Sequence, residues 1–442
     1  MRALVLNFFA MIYFLAFNTE IKAQEVIGGI KKTFSLKETI EFAFNNSPGF
    51  DSLPRKTRIA ELEAKTAAFK ILPRLDLKTT HGRSVKSPHT DDNRNLSRFE
   101  VGLSESIYDN GVINTENQIA GLKKRMADLE YRDSRDQLLL ELVNQLVDYS
   151  SKIKIIEIEE RQLGLVNNEF EMVSKDYHQG IKTKKDFLRF KTYPIRRELD
   201  VTNAKIEAEK SKKILLKLIG YKSSPVDQVD FEIIDLEKRV EQPIISPSFK
   251  VENHLQYKIV KLQKEINLLL KDMVRRKRLP QLFLDANLTY SSENYLGSQY
   301  SLSEKAIFGW EALVTLKYNF LDWGTRSRDY EIQKQNLIVE ENELDAKLLA
   351  IRADINQYSI NLDKLRKSYE LAKEWVVLET SNIEYIGREY RSGKVQYLDL
   401  TAGVNDYSDA QKRFYNVCAA LQKSIYSIYY NQGVLYEVLL KK

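Results

Sequence analysis

The 442-residue chain is poor in the residues that form disulfides, bind metals or carry out enzymatic chemistry. Its single cysteine, Cys418, excludes an intramolecular disulfide, and its position on an apolar helical stripe predicts a buried thiol. No histidine has another histidine or a cysteine at ligand spacing, which argues against a metal site; the four are His81, His89, His178 and His254. Because P-loop, GxGxxG and GxSxG motifs are also absent, we expect no catalytic residue, no metal, no cofactor and no enzyme.

Long apolar runs are missing as well, except at the N-terminus. Nothing beyond the first residues approaches the 18 apolar residues of a membrane-spanning helix. Arg2 precedes an apolar run over 3–17, and Ile21 and Ala23 occupy the −3 and −1 positions of a cleavage site. We therefore predict a signal peptide over 1–23, with an uncleaved anchor helix as the alternative.

The charge balance is mild, with a formal net charge of +6 at pH 7. The one dense basic run is 275–278, whereas nucleic-acid binding requires a patterned basic face. We expect no nucleic-acid partner.

The chain contains an internal repeat. Three local matches recur in the same order, and they pair 73–77 with 280–284, 107–111 with 320–324, and 177–180 with 390–393. The offset is 207 residues for the first match and 213 for the other two, so the second copy has six extra residues at one place. A single confined insertion is typical of a loop tip.

Both copies contain long helical segments, and those of the second copy have the alternating 4-and-3 apolar spacing of a coiled-coil seam. One such series is Leu344, Leu348, Ile351, Ile355, Tyr358, Leu362 and Leu365. The segment 112–178 has no proline and predicts a rod of about 100 Å, which needs partner helices along its length.

Four further segments alternate apolar and polar residues, as strands do. The clearest has Trp310, Ala312, Val314, Leu316, Tyr318 and Phe320 on one face. The others lie in 281–290, in 98–108 with Glu105 as an exception on the apolar face, and from Leu75 onward. This pattern is typical of a transmembrane β-barrel, and a half-buried soluble sheet is the alternative. Four strands cannot close a barrel, and an open edge in lipid leaves backbone groups unpaired, so membrane strands require several chains.

Six motifs, in order and partly duplicated, resemble those of the TolC-like outer membrane efflux family. They are the opening segment 34–48, the helix-to-strand junctions 71–73 and 279–280, the strand-to-helix junctions 108–111 and 321–324, and the tip segment 390–399. The resemblance covers essentially the whole chain after the signal peptide. It implies a mainly α fold with membrane β, in which long antiparallel coiled-coil hairpins form a periplasmic tunnel and four strands join a shared 12-stranded barrel.

The resemblance also implies a homotrimer in the cell outer membrane, with a large periplasmic portion. Its partners would be a periplasmic adaptor, or membrane fusion protein, and an inner-membrane pump. The function expected is a passive export duct in tripartite efflux or type I secretion. A soluble periplasmic coiled-coil structural or adaptor protein is the alternative.

These features divide the chain into eight expected segments. They are the signal peptide 1–23, an N-terminal helical segment 24–72, β-hairpin 73–111, helical hairpin 112–220, an equatorial linker 221–250, a helix 251–279, β-hairpin 280–324, and a second helical hairpin with the C-terminal segment 325–442.

The expected site residues fall at the two ends of these helices. Those at the helix–strand junctions are Pro73, Gly111, Pro280 and Gly324. Those at the periplasmic gate or tip are Gly180, Tyr390, Gly393, Val395, Asp399 and Ala402.

In the family that this chain resembles, acidic residues form a ring at the closed tip. Asp399 matches the first acid, while Ala402 stands at the second acid and Val395 at a gating arginine. Tyr390 and Asp399 remain, so we expect this chain to hold its gate closed either differently from that family or more weakly. Asp399 has an alternative interpretation as an ordinary acid at a helix N-terminus.

Overall fold

The computed structural model describes residues 32–84, 94–222, 229–237, 252, 254–295, 305–318, 321 and 323–440. Several predictions fall outside these residues: the signal peptide 1–23, most of the linker 221–250, His89, Phe320 and Asp322.

The described chain is dominated by helices. Their bounds are α1 Leu36–Asn46, α2 Pro48–Phe69, α3 Val112–His178, α4 Lys184–Leu218, α5 Leu255–Arg276, α6 Thr325–Arg391, α7 Tyr397–Asn431 and α8 Leu435–Leu440. None of these helices combines the length and the apolarity that a membrane-spanning helix needs. In the same residues, His, Cys, Asp and Glu side chains form no group of three or more that could hold a metal ion.

The two halves contain helices of identical length. Helices α3 and α6 each have 67 residues, and α4 and α7 each have 35. The helix predicted over 112–178 is confirmed as α3, about 100 Å long. We call α3 with α4 hairpin 1, and α6 with α7 hairpin 2. Helix α3 also packs against α7, which joins the two hairpins.

The described strands form two sheets. Their bounds are β1 Lys32–Phe34, β2 Arg74–Ser84, β3 Arg94–Tyr108, β4 Val229–Phe231, β5 Gln281–Tyr295 and β6 Lys305–Lys317. Strands β1 and β4 pair in parallel, and the other four form an antiparallel sheet in the order β2-β3-β5-β6. Strands β2 and β6 are therefore the edges of the larger sheet.

The register of the larger sheet confirms the predicted alternation. Leu77 pairs with Val101, Val101 with Leu288, and Leu288 with Trp310, so the apolar residues share one face across four strands. Glu105 pairs with Leu284 and does lie on that face. The face is exposed in the single chain; Trp310, for example, is 76% exposed.

The main core lies where the middle of α3 meets the short β1–β4 sheet and the C-terminal half of α7. Phe34 pairs with Phe231 in that sheet, and the Tyr149 hydroxyl donates to an Asp230 carboxylate oxygen at 2.6 Å. Cys418 belongs to this core and is fully buried, as predicted. Burial raises the pKa of its thiol to about 12, so it stays protonated.

The chain enters this core through a capped helix. The Ser35 hydroxyl accepts the Glu38 N–H, and the Glu38 carboxylate accepts the Ser35 N–H at 2.9 Å. This reciprocal capping box fixes the start of α1 and directs Ile40 into the core.

Candidate functional site at the hairpin tips

The two hairpins turn in the same way at their tips. Gly180 and Gly393 adopt left-handed conformations with φ of 75° and 74°. The Gly180 N–H donates to the Tyr177 carbonyl at 3.0 Å, and the Gly393 N–H donates to the Tyr390 carbonyl at 2.9 Å. In each turn the next N–H bonds to the carbonyl five residues earlier, which completes a Schellman cap. A side chain other than glycine would strain both turns.

Asp399 has a local structural role at the start of α7. Its carboxylate accepts the Gln396 N–H at 3.2 Å as part of a capping box, and its side chain is otherwise exposed. This geometry is that of an acid stabilising a helix N-terminus.

The other predicted tip residues do not converge in the single chain. Tyr390 is half-buried, with its ring centroid 6.2 Å from that of Tyr397. Val395 is half-buried in the turn, while Ala402 is exposed on α7.

An aromatic cluster that the sequence analysis did not identify joins the hairpins near the tips. Tyr397 of α7 packs against Phe190 and Tyr193 of α4, with 5.6 Å between the two tyrosine ring centroids. Burial, more than nearby negative charge, raises the pKa of Tyr397 above its usual value. The sequence signal was present, because Phe190 and Tyr193 are one helical turn apart.

Glu169 of α3 lies beside this cluster. Its Oε2 atom is buried and has no hydrogen-bond partner among the described residues. Burial raises the pKa of the Glu169 carboxyl, opposed by the positive charge of Arg391. Its negative charge contributes to the raised pKa values of Tyr390 and Tyr397.

Further from the tips, a buried group of charges connects three helices. Glu159 of α3 lies 3.3 Å from Arg197 of α4 and 2.5 Å from Lys412 of α7, counted between oxygen and nitrogen atoms. Arg197 also donates to the Asn405 side chain of α7. The Glu159 and Arg197 side chains are only 4% and 9% exposed, so solvent screens this contact little.

Neutral polar side chains extend the same contact. Gln162 follows Glu159 by one turn and is fully buried, yet its amide oxygen and nitrogen have no hydrogen-bond partner among the described residues. The fully buried Ser408 hydroxyl, one turn before Lys412, is likewise unpaired. We call this contact the polar seam; its members are Ser151, Glu159 and Gln162 of α3 with Ser408, Lys412 and Asn416 of α7.

The polar seam is loosely packed. An open cavity of about 460 Å³ lies between α3, α4 and α7, and Ser151, Glu159 and Asn416 are among its lining residues. Each buried polar atom without a partner costs about 1–3 kcal/mol. The seam therefore holds the hairpins together by directional contacts and gains little from apolar burial.

The predicted junction residues lie at the opposite end of the hairpins. Gly111 precedes α3 with φ of 77°, and an added Cβ would stand 2.7 Å from Arg276 Nη1. The Asn110 amide donates to the Pro280 carbonyl at 2.7 Å, which ties the first junction to the second half of the chain.

The remaining junction residues have related positions. Gly324 precedes α6 with φ of 80°, and Arg328 donates to the Trp323 carbonyl at 3.2 Å. Pro73 and Pro280 stand immediately before β2 and β5, where a missing N–H disrupts no pairing. None of these four residues contacts the tip.

Comparison with known proteins gives a family-model match over part of the chain and a fold over nearly all of it. The family model described as outer membrane efflux protein matches residues 271–430. No curated protein sequence matches the chain.

Solved structures match over nearly the whole chain. The Campylobacter jejuni CmeC outer membrane channel is 13% identical and has a TM-score of 0.78, with 93% of this chain and 91% of that chain covered. The Vibrio cholerae outer membrane protein VceC is 15% identical with a TM-score of 0.71, covering 92% and 96%. The open state of the Neisseria gonorrhoeae MtrE outer membrane channel is 12% identical with a TM-score of 0.71, covering 90% and 88%. At these identities the likeness establishes the fold.

Proposed function

We propose that this chain, whose residues 271–430 match the outer membrane efflux protein family model, is the outer-membrane channel subunit of a tripartite efflux or type I secretion system. It acts as a passive duct from the periplasm to the exterior, not as an enzyme. The observation that carries this proposal is the union, in one chain, of a sheet with one apolar face and two helical hairpins about 100 Å long.

The sheet supports a shared barrel in the outer membrane. Its apolar face is exposed in the single chain and suits lipid, while Asn287 and Glu311 hydrogen-bond at 3.0 Å on the other face. In lipid the edges of β2 and β6 must pair, and a second copy offers the complementary edge. We propose that three copies contribute twelve strands.

Because the proposed duct is passive, the energy for transport must come from a partner protein. A periplasmic adaptor and an inner-membrane pump are the partners proposed, with the adaptor meeting the hairpin tips. Gly180 and Gly393 would then define the periplasmic end of the duct.

We place the gate between the hairpins. Val395 and Ala402 cannot form a charged latch, and the polar seam provides buried ionic contacts between the same two hairpins. Parting of the polar seam, with Tyr397 separating from Phe190 and Tyr193 of α4, would open the tip.

Asp399 is proposed to face the duct in addition to capping α7. Three copies would crowd like charges at the constriction, so Asp399→Asn is expected to change single-channel conductance or cation block in planar bilayers. Unchanged conductance and unchanged block would leave Asp399 with its capping role alone.

The proposed function is tested by fractionation with two matched variants. The wild-type chain should leave the outer-membrane fraction only with detergent and then run as a discrete oligomer. Val314→Lys places a charge on the apolar face and should abolish membrane assembly, because a lysine facing lipid costs about 2–4 kcal/mol at the midplane. Thr315→Lys, on the opposite face of the same strand, should assemble normally.

Two results would overturn the proposal. One is a wild-type chain that is a monodisperse monomer without detergent, which would favour the soluble coiled-coil alternative. The other is an equal effect of the two lysine substitutions.

A further inference from the structure

The dense basic run 275–278 is not explained by a passive duct. It closes helix α5 and stands just before β5. Arg276 has partners within the chain, because its guanidinium pairs with Asp272 at 2.6 Å and donates to the Asn110 carbonyl at 3.2 Å. Arg275, by contrast, is exposed, and its side chain makes no ion pair or hydrogen bond among the described residues. Part of the run therefore serves the fold, and part of it faces outward.

The end of a helix does not require such a run. A basic residue near a helix C-terminus is stabilising, which accounts for one or two of the four. Helix α2 ends at the equivalent place in the first half, and its last turn has no basic residue. At the repeat offset of 207, the residues equivalent to the basic run are Ala68, Phe69, Lys70 and Ile71. The two junctions are thus built alike but differ in chemistry.

These two helix-to-strand junctions lie side by side. Glu116 of α3 pairs with Lys70 at 2.8 Å and with Lys277 at 3.5 Å, so one carboxylate joins both junctions. Strands β2 and β5 both pair with β3, which puts the junctions about 10 Å apart across the sheet. The first junction exposes two large apolar side chains, since Phe69 and Ile71 are 66% and 68% exposed. We call 68–71 together with 275–278 the junction surface; it is apolar on one side and basic on the other.

The junction surface begins where the apolar face of the sheet ends. Only a few residues separate it from β2 and β5, whose Leu77 and Leu288 lie on that face. In the proposed channel the apolar face meets lipid and the helices lie in the periplasm. The junction surface is then at the depth of the headgroups of the periplasmic leaflet.

An exposed tryptophan lies at the same end of the sheet. Trp323, between β6 and α6, is 83% exposed and has φ of 52°, a conformation that bulky residues rarely adopt. Tryptophan is enriched at membrane–water interfaces. The basic run faces the same region, because the Arg278 guanidinium carbon is 5.1 Å from the centre of the Tyr330 ring on α6.

We infer that the junction surface binds an anionic phospholipid of the periplasmic leaflet, with Arg275 and Arg278 on the phosphate and Phe69 and Ile71 against the acyl chains. This inference rests on the proposed outer-membrane channel and names the lipid that the channel selects. The Arg278 N–H donates to the Arg275 carbonyl at 3.3 Å, so the two arginines are one turn apart.

The composition of the junction surface favours a lipid over a soluble anion. The planar guanidinium group of arginine donates two parallel hydrogen bonds to a phosphate, whichever molecule carries that phosphate. The exposed apolar side chains of the first junction, about 10 Å away, add a contact that only a molecule with acyl chains can use. Continuity with the apolar face of the sheet places such chains beside them.

The test is fluorescence quenching by brominated lipids in the full chain, reconstituted into phosphatidylcholine bilayers. Trp310→Phe with Trp375→Phe leaves Trp323 as the only tryptophan, because the chain has three. Brominated phosphatidylglycerol should quench Trp323 more strongly than brominated phosphatidylcholine at the same mole fraction. The ratio of the two gives a relative binding constant. Arg275→Gln with Arg278→Gln should lower that constant about fivefold for each arginine removed.

Two double variants provide matched controls. Lys258→Gln with Lys261→Gln removes the same charge from exposed positions on α5, about 25 Å along the helix from the two arginines. It should leave the relative binding constant unchanged, because that separation exceeds the Debye length of about 10 Å at 0.1 M salt. Arg275→Lys with Arg278→Lys keeps the charge and loses the planar donors, so it should retain part of the preference.

Equal quenching by the two lipids in the chain with both arginines, or a preference that survives their loss, would overturn the inference. Loss of the preference on adding inorganic phosphate at constant ionic strength would also overturn it, in favour of a soluble anion. A chain that does not enter bilayers at all would count against the proposed function. A detergent-requiring oligomer without a lipid preference would count against this site alone.

Discussion

The contact between α3 and α7 changes character along its length. In the part further from the tips, which we call the upper part, Leu142, Leu146 and Val147 of α3 share an apolar core with Val417 and Cys418 of α7. Toward the tips, the same two helices meet through the polar seam. The upper part gains from hydrophobic burial, which is non-directional and tolerates small adjustments. The lower part depends on ion pairs and orphaned polar atoms, which are lost together when the helices separate. The difference indicates a fixed end and a movable end on one pair of helices.

Truncating the fixed end should have the largest effect on stability. Leu146 is 1% exposed, and Leu146→Ala should lower the free energy of unfolding by about 3 kcal/mol through lost burial and a cavity. Thermal unfolding of the detergent-solubilised protein, followed by circular dichroism, measures this. Leu165→Ala on the same helix, 45% exposed, is the control and should change little. If Gln162→Ala lowered the free energy of unfolding as much as Leu146→Ala does, the proposed difference between the apolar upper part and the polar seam would be contradicted.

Removing the central charge should loosen the movable end without unfolding the protein. Glu159→Gln leaves Arg197 and Lys412 without their shared carboxylate, at a cost of about 3 kcal/mol to the seam. The open-to-closed ratio should rise by about a hundredfold, seen as greater mean conductance in planar bilayers. Glu157→Gln, which removes an exposed ion pair with Lys154, should leave conductance unchanged.

Making the seam apolar should act in the opposite direction. Gln162→Leu removes two buried unpaired polar atoms and should strengthen closure by about 1–2 kcal/mol. Channel openings in planar bilayers should become rarer. More frequent openings would show that the Gln162 amide stabilises the closed state, and that burying it without a partner does not destabilise that state.

Acidification should have the smallest effect. Burial raises the pKa of the Glu169 carboxyl above its ordinary value of 4.5, because burial favours the protonated, neutral form. Protonation of Glu169 therefore stabilises the closed tip fully below the ordinary pKa, and this stabilisation is lost as pH rises through the raised pKa. Mildly acidic solution should therefore favour the closed tip relative to neutral solution, in conductance recorded across that range. Glu169→Gln should remove this pH dependence, and a retained dependence would assign it to another group.

Much of the architecture could be predicted from the sequence. Apolar spacing predicted α6 and α7, and the absence of proline predicted α3. Alternation predicted the strands, and the repeated glycines predicted both tip turns, because helix periodicity, strand alternation and left-handed turns depend on local residue order. Glu105 was even recognised as an exception on the apolar face, where the register puts it.

The candidate site was predictable only in part. Tyr390, Gly180 and Gly393 were identified by motif, but Glu159, Arg197 and Lys412 were not. Each of these three looks like an ordinary charge on a long amphipathic helix, and the majority of such charges are solvated. The resemblance to a family also emphasised Asp399, whose observed contact is a helix cap.

The sequence by itself determined the lengths of the helices, the faces of the strands, the two equivalent hairpins and the burial of Cys418. Only the tertiary structure decided that α3 packs on α7 and that Glu159 meets both Arg197 and Lys412. The physical reason is that periodicity defines the face of a helix but not the helix that will cover it. Here equivalent positions on two helices differ: Thr401 and Ser408 of α7 are buried within the chain, whereas Leu188 and Ile195 of α4 are exposed.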